Sequence, residues 1–321
     1  MNARIIGTGS VLPKKVVTNF DLAEIVDTND EWIVSRTGIK ERHVAIEEST
    51  SSMATEAGKK ALEDAGMTAE ELEMILVATV TPDYVTPSTA CMVQAAIGAT
   101  NAVAMDLSAA CSGFVFALNT AQAYIRAGIY KKILVIGVET LSKVVDWTDR
   151  STCILFGDGA GAAVVTADAE AGIQDFVQYT DGAKGVALQC DARQHKNLFG
   201  TRAFENEYVQ MDGQAVFKFA VRRVPESIQK LLDRNQLTAE QIDLYVLHQA
   251  NMRIIETVAK FLKEPMDKFP MNMERCGNTS GASVPLLLDE LNRAGRFKRG
   301  DKLILSGFGG GLTWGSIYMI W

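Results

Sequence analysis

The sequence predicts an α/β protein built from two related halves, and three observations carry that prediction. Short apolar runs (Met74–Val80, Lys132–Gly137, Leu244–Leu247 and Leu303–Ser306) alternate with longer segments of helical spacing. GMTAEELEMILVATV, from Gly66, resembles QLTAEQIDLYVLHQA, from Gln236. Each reads as a capping box followed by a strand. CSGFVFALNTAQAYIRAGIYKKILVIG, from Cys111, resembles NTSGASVPLLLDELNRAGRFKRGDKLILSG, from Asn278. Each reads as a helix, an Arg-Ala-Gly stop and a strand, with glycine just past the helix end as expected. The repeat implies a pseudo-twofold duplication. Its boundary falls near Thr166–Gly172, giving halves 1–170 and 171–321.

Taken in order, Ala3–Asn19 reads as a strand ending at a Gly/Pro turn. Asn19–Ala45 begins helically and continues as a charged, aromatic-bearing stretch. Between Ser51 and Gly66, Ala54, Ala57, Ala61, Leu62 and Ala65 recur at helical spacing. Thr68–Glu71 caps the approach to the buried strand at Met74. Ala104–Gly128 reads as a short strand, a turn of small residues and a long apolar helix, with Cys111 where turn becomes helix.

The 321 residues suit two half-sized domains, and 47% hydrophobic with 22% charged residues provides for a large core. A net charge of −7 argues against a dedicated nucleic-acid binder. Five cysteines without a CxxC pair suggest neither a disulfide framework nor a zinc ribbon, and His43 and His195 lack metal spacing. The start of the sequence has no signal-peptide pattern, and no apolar run approaches the roughly 20 residues of a membrane span. A reducing cytoplasm is the expected compartment.

A thiol at a helix start faces unpaired N–H groups and the positive end of the helix dipole, both of which favour thiolate. Cys111 therefore reads either as a nucleophile or as a buried small hydrophobe. The Arg-Ala-Gly stops begin at Arg126 and Arg293, an offset of 167 (293 − 126), and removing 167 from Asn278 gives position 111. On that register Cys111 and Asn278 are equivalent. His248 alone among three histidines follows a buried strand, at the carboxyl end where α/β sites are built. It reads as a site residue or a hydrogen-bonded core histidine. Gly307–Gly315 (GFGGGLTWG) offers either exposed amides for an oxyanion hole or a tight turn. Gly157–Ala162 nearly fits a dinucleotide fingerprint, but an apolar strand follows instead of a helix, so nucleotide binding is discounted. Lys218, Arg222, Arg223, Arg253, Lys260 and Lys263 fall on expected helices, as a docking face for an acidic partner or as solvated charge.

With Cys111, His248-Gln-Ala-Asn251, Gly277-Asn-Thr-Ser280 and Gly309–Gly315 in view, the chain resembles the β-ketoacyl-acyl carrier protein synthase III family, from Asp30 to Trp321. The resemblance implies the thiolase fold: two βαβαβαββ halves in five layers, α-β-α-β-α. It implies a ping-pong condensation that starts fatty acid synthesis. Cys111 takes an acyl group from acyl-CoA, and malonyl-acyl carrier protein then enters. His248 and Asn278 hold the enolate formed as CO2 leaves, and the amides of Cys111 and Gly310 hold the oxyanion. No metal or organic cofactor is implied, CoA thioester being substrate. Trp32 and Arg150 would flank the CoA adenine, with Arg36 near its phosphates and Gln214 near its arm. Thr86 and Phe308 would shape the acyl pocket. Lys218, Arg222, Arg253 and Lys260 would meet the carrier protein. A homodimer is implied, with Tyr84–Met92 reaching the partner's acyl pocket. Thr86 stands where some members carry phenylalanine, which widens the expected range of acyl groups. Gly281 replaces the usual alanine, and Gln214 replaces an asparagine of some relatives.

Overall fold

The computed structural model describes residues 1–191, 195–202 and 207–321. Nine strands build the two main sheets: β1 (Asn2–Val11), β2 (Met74–Ala78), β3 (Val103–Leu107), β4 (Lys132–Glu139), β5 (Gly159–Asp168), β6 (Gly172–Thr180), β7 (Leu244–Leu247), β8 (Lys302–Gly309) and β9 (Thr313–Ile320). The main helices are α1 (Asp30–Thr37), α2 (Thr50–Ala65), α3 (Thr89–Ile97), α4 (Gly113–Arg126), α5 (Gly213–Arg234), α6 (Met252–Leu262) and α7 (Ser283–Arg293).

The first sheet runs β1-β5-β4-β2-β3 and the second β6-β9-β8-β7. Corresponding pairs share their sense: β2–β4 and β7–β8 are parallel, while β1–β5, β4–β5, β6–β9 and β8–β9 are antiparallel. The first half thus reads βαβαβαββ from β1 to β5, with α1 inserted after β1. In the second half α6 leads to α7 without a strand matching β3. The short helix Met273–Cys276 occupies that connection.

Strand periodicity sets the layers. Met74, Leu76 and Ala78 of β2 face a cluster shared with α4 and α7, and Ile75 and Val77 face a second cluster with α2. Across the molecule, Leu244, Val246, Leu303 and Leu305 join the α4–α7 cluster, while Tyr245, Leu247 and Ile304 face a third cluster with α5 and α6. The order is α2, sheet, α4 with α7, sheet, α5 with α6. Because α4 lies between two sheets it is apolar nearly all round, and its buried Gln122 donates from Nε2 to the Ile173 carbonyl at 3.1 Å.

The register of the duplication corrects the expected pairing of Cys111 with Asn278. The capping turns at Thr68 and Thr238, strands β2 and β7, the turns Ala110–Ser112 and Ser280–Ala282, and the starts of α4 and α7 are all offset by 170. The offset of 167 arises because α7 has 11 residues and α4 has 14. Cys111 therefore matches Gly281, and Asn278 matches Ser108. The matched residues Ala110 and Ser280 both sit at positive φ, +46° and +48°.

Candidate active site

Cys111 lies in the turn that joins β3 to α4, where α4 packs on both sheets. It is 7% exposed. Burial pushes its thiol up to about 11. The Ser280 hydroxyl and the amides of Cys111 and Gly310 pull the other way, and the nearby Glu139 carboxylate adds to the rise. The helix-start argument anticipated a thiolate, and desolvation overrides it. The resting group is a thiol. Gly309, the last residue of β8, lies flat against it: a Cβ built there would stand 2.7 Å from Cys111 Cβ and 2.9 Å from Sγ. Gly309→Ala should therefore displace the sulfur and lower acyl transfer about 10²-fold, by the cost of a misplaced reacting atom. Acylation followed by intact mass would measure it, and a rate within twofold of wild type would contradict the packing.

His248 follows β7. Its N–H donates to the Ser306 carbonyl on β8 at 2.8 Å, which fixes the backbone. Its ring Nδ1 is 2.6 Å from Ser283 Oγ, and the Gln249 N–H donates to the same hydroxyl at 3.4 Å. With Ser283 accepting from the backbone and donating to Nδ1, the proton belongs on Nε2. Burial pushes the imidazole down to about 3, so His248 is a neutral donor at physiological pH. Its ring meets Phe308 edge-on, with centroids 5.0 Å apart. Asn278 is pinned by its N–H to the Leu155 carbonyl at 2.8 Å and by its own carbonyl, which accepts from Gly157 at 3.0 Å. Its Oδ1 accepts the Ser280 N–H at 2.9 Å, so its Nδ2 is the group left to donate. Phe308, the expected acyl-pocket residue, thus lies beside the histidine.

Cys111, His248, Asn278, Phe308 and Gly309 line the floor of a cavity of about 380 Å³ whose wall includes Trp32, Arg36, Met211, Phe217 and Arg253. The helix α1 that carries Trp32 and Arg36 starts at the Asn29 cap and stops at Gly38. The Arg36 and Arg150 guanidiniums lie 5.1 and 5.0 Å from the Trp32 ring centre. Such an aromatic and cationic cluster suits a nucleotide phosphate. Arg150 also donates to the Asp27 carbonyl at 2.8 Å. Gln214 is exposed beside this cavity, while its neighbours Gly213, Val216 and Phe217 line it. Thr86 is exposed and apart from the cavity of its own chain. Its expected place in an acyl pocket needs a second copy of the chain.

Lys218, Arg222, Arg253 and Lys260 are exposed on the adjoining helices α5 and α6. Arg222 and Arg223 both pair with Glu226, at 3.1 and 2.8 Å, which dilutes the positive face. Arg253 donates to the Ser35 carbonyl at 2.7 Å and sits at the cavity wall. The near-fingerprint after Gly157 leads into strand β5, as expected. All five cysteines are free. Among the described residues no three His, Cys, Asp or Glu side chains are grouped to hold a metal, and no helix is long and apolar enough to cross a membrane. The side chain of His195 lies outside the described residues.

Sequence reasoning missed Ser283, Ser280, Gly309 and Glu139. The first three stand inside motifs already singled out. Glu139, at the end of β4, has no local pattern to mark it.

Two duplicated α/β halves that share a central helix layer, with a cysteine at one central helix start, define the thiolase fold. The profile described as 3-oxoacyl-[acyl-carrier-protein (ACP)] synthase III matches residues 105–195, and its C-terminal companion matches residues 232–321. A beta-ketoacyl-[acyl-carrier-protein] synthase III of Clostridium acetobutylicum is 50% identical over 100% of this chain and 99% of its own length. A synthase III 1 of Bacillus anthracis is 50% identical with the same coverage. The crystal structure of the 3-oxoacyl-[acyl-carrier-protein] synthase III of Aquifex aeolicus superposes with a TM-score of 0.94 at 46% identity, covering 100% of both chains. The chain belongs to the 3-oxoacyl-[acyl-carrier-protein] synthase III family.

Proposed function

We propose that the protein joins a short acyl group from acyl-CoA to malonyl-acyl carrier protein, releasing CoA and CO2 and forming a 3-oxoacyl-acyl carrier protein. The observation that carries this reading is the meeting of Cys111, His248 and Asn278 at the floor of one cavity with Trp32 and Arg36 on its wall. Cys111 is the acyl-carrying nucleophile. The amides of Cys111 and Gly310, which favour negative charge on the sulfur, hold the oxyanion of the tetrahedral intermediate. His248 Nε2 and Asn278 Nδ2 donate to the malonyl thioester oxygen and stabilise the enolate as CO2 leaves. Neither donor changes protonation, which suits a sink for developing negative charge. The enolate carbon then attacks the Cys111 thioester and returns the free cysteine. These residues need no bound cofactor for that sequence.

Trp32, Arg36 and Arg150 hold the CoA nucleotide, with Gln214 near its arm and Phe308 shaping the floor. Thr86 contributes to the acyl pocket of a second subunit in a homodimer. The duplicated halves are 1–170 and 171–321. The working test is intact mass after incubation with acetyl-CoA. An acetyl adduct that chases into product on adding malonyl-acyl carrier protein is expected. No adduct with any acyl-CoA would sink the assignment.

Lys218, Arg222, Arg253 and Lys260 dock the acidic carrier protein. Lys260→Glu should raise KM for the carrier-protein substrate about tenfold, while acylation by acyl-CoA stays within twofold. Equal losses in both half-reactions would place these charges in the CoA site instead.

A further inference from the structure

The Cys111 thiol has to lose a proton before it can attack, and the groups already assigned do not take it. His248 is buried, neutral and hydrogen-bonded through Nδ1 to Ser283. The Ser280 hydroxyl lies near enough to the sulfur to ease its ionisation, and the turn that carries it stands against the Cys111 turn, where a Cβ on Gly281 would be 3.2 Å from the Ala110 carbonyl. Ser280 is held at φ +48°, an unusual backbone for a non-glycine residue. Its N–H is fixed by Asn278 Oδ1. The same hydroxyl donates to Glu139 Oε1 at 3.4 Å, a long bond that a shift of about half an ångström makes ordinary. A Cβ on Gly281 would make only ordinary contact with Glu139 Oε1, at 3.5 Å.

Glu139 itself is fully buried and held in place by Thr81 Oγ1 at 2.5 Å, Thr79 Oγ1 at 3.3 Å and the Val80 N–H at 3.1 Å. The titratable or charged groups facing it are Cys111 and Lys143, with Asp83 and Asp158 beyond the lysine. The Lys143 ammonium is spent on the Thr81 and Pro82 carbonyls, at 2.7 and 3.0 Å.

We propose that Glu139, acting through the Ser280 hydroxyl, receives the Cys111 proton during acylation and returns it when the thioester breaks. This deepens the condensation reading above and rests on it. In acylation the Cys111 S–H bond breaks, Ser280 takes that proton, and its own proton passes to the Glu139 carboxylate. The sulfur then attacks the acyl-CoA carbonyl, and the CoA thiolate leaves and takes a proton from solvent. In condensation the enolate attacks the Cys111 thioester, the cysteine leaves as thiolate, and Glu139 hands the proton back through Ser280. Over the cycle one proton is consumed, as decarboxylation of a malonyl carboxylate requires.

Burial pushes the Glu139 carboxyl up to about 7, against the hydrogen bonds from Thr81, Val80 and Thr79 that lower it. Acylation should therefore rise with pH as Glu139 ionises near neutrality. The experiment is rapid-quench acylation by acetyl-CoA, read by intact mass from pH 5.5 to 9, for wild type, Glu139→Gln, Ser280→Ala and the double variant. Both single variants should be at least about tenfold slower at pH 7 and lose the rise near pH 7. The double variant should be no worse than either, and malonyl decarboxylation should change by less than twofold. Ser280→Ala leaves the three hydrogen bonds from Thr79, Val80 and Thr81 to Glu139 intact, so it tests the relay even if Glu139→Gln folds poorly. The relay is overturned by single variants within twofold of wild type, by additive losses, by a slow Glu139→Gln beside a normal Ser280→Ala, or by an equal fall in decarboxylation. A wild-type protein that forms no adduct overturns instead the condensation reading on which the relay stands.

Discussion

Cys111→Ala should abolish condensation, by about 10³-fold or more, while leaving malonyl-acyl carrier protein decarboxylation measurable. The two losses differ because the sulfur takes part only in carrying the acyl group. In the proposed reaction the enolate is held by His248 and Asn278, whose positions depend on Ser306, Ser283, Leu155 and Ser280 and not on the thiol. The alanine fits, since it removes one buried sulfur from a 7% exposed site and breaks no backbone bond. Cys111→Ser is a harder case, as it puts a weaker nucleophile into the same desolvated pocket. The measurement is product formation beside CO2 release from labelled malonyl substrate. Condensation persisting in Cys111→Ala would remove the nucleophile from its assigned place.

His248→Ala and Asn278→Ala should each lower decarboxylation by about 10²- to 10³-fold, the usual cost of one oxyanion donor. Acylation of Cys111 should fall less than tenfold. The asymmetry follows from the donors' neutrality and from their aim at the cavity. Because burial holds the imidazole down at about 3, His248 carries one proton on its ring across the whole working range. Decarboxylation should therefore be flat with respect to this group from pH 5 to 8. An inflection near 6.5 that vanishes in His248→Ala would mean that the ring titrates and acts as an acid or base. Equal losses in both half-reactions would deny the division of labour.

The strands and helices were legible because each apolar run carries its own period. Met74–Ala78 alternates between two cores, and Thr50–Ala65 ends on the glycine that the pattern required. Places at element ends singled out Cys111, His248 and Asn278, which the structure brings to one cavity. Their pairing was not legible, because a three-residue difference between α4 and α7 shifts the stops against the starts, and only the starts build the site. The thiol's charge state was misread for a related reason. The dipole of a helix start is visible in sequence, whereas the second sheet that buries it is not. Glu139 and Ser283 meet their partners across 141 and 35 positions of chain, and no local spacing announces such a contact.

The helix layer between the sheets has one more consequence. Phe114, Leu118 and Ile125 of α4, together with Val284, Leu287 and Leu291 of α7, belong to a single apolar cluster fed by both sheets. Neither half can part from the other without exposing that cluster. What the sequence records as two copies is, to heat or denaturant, one body.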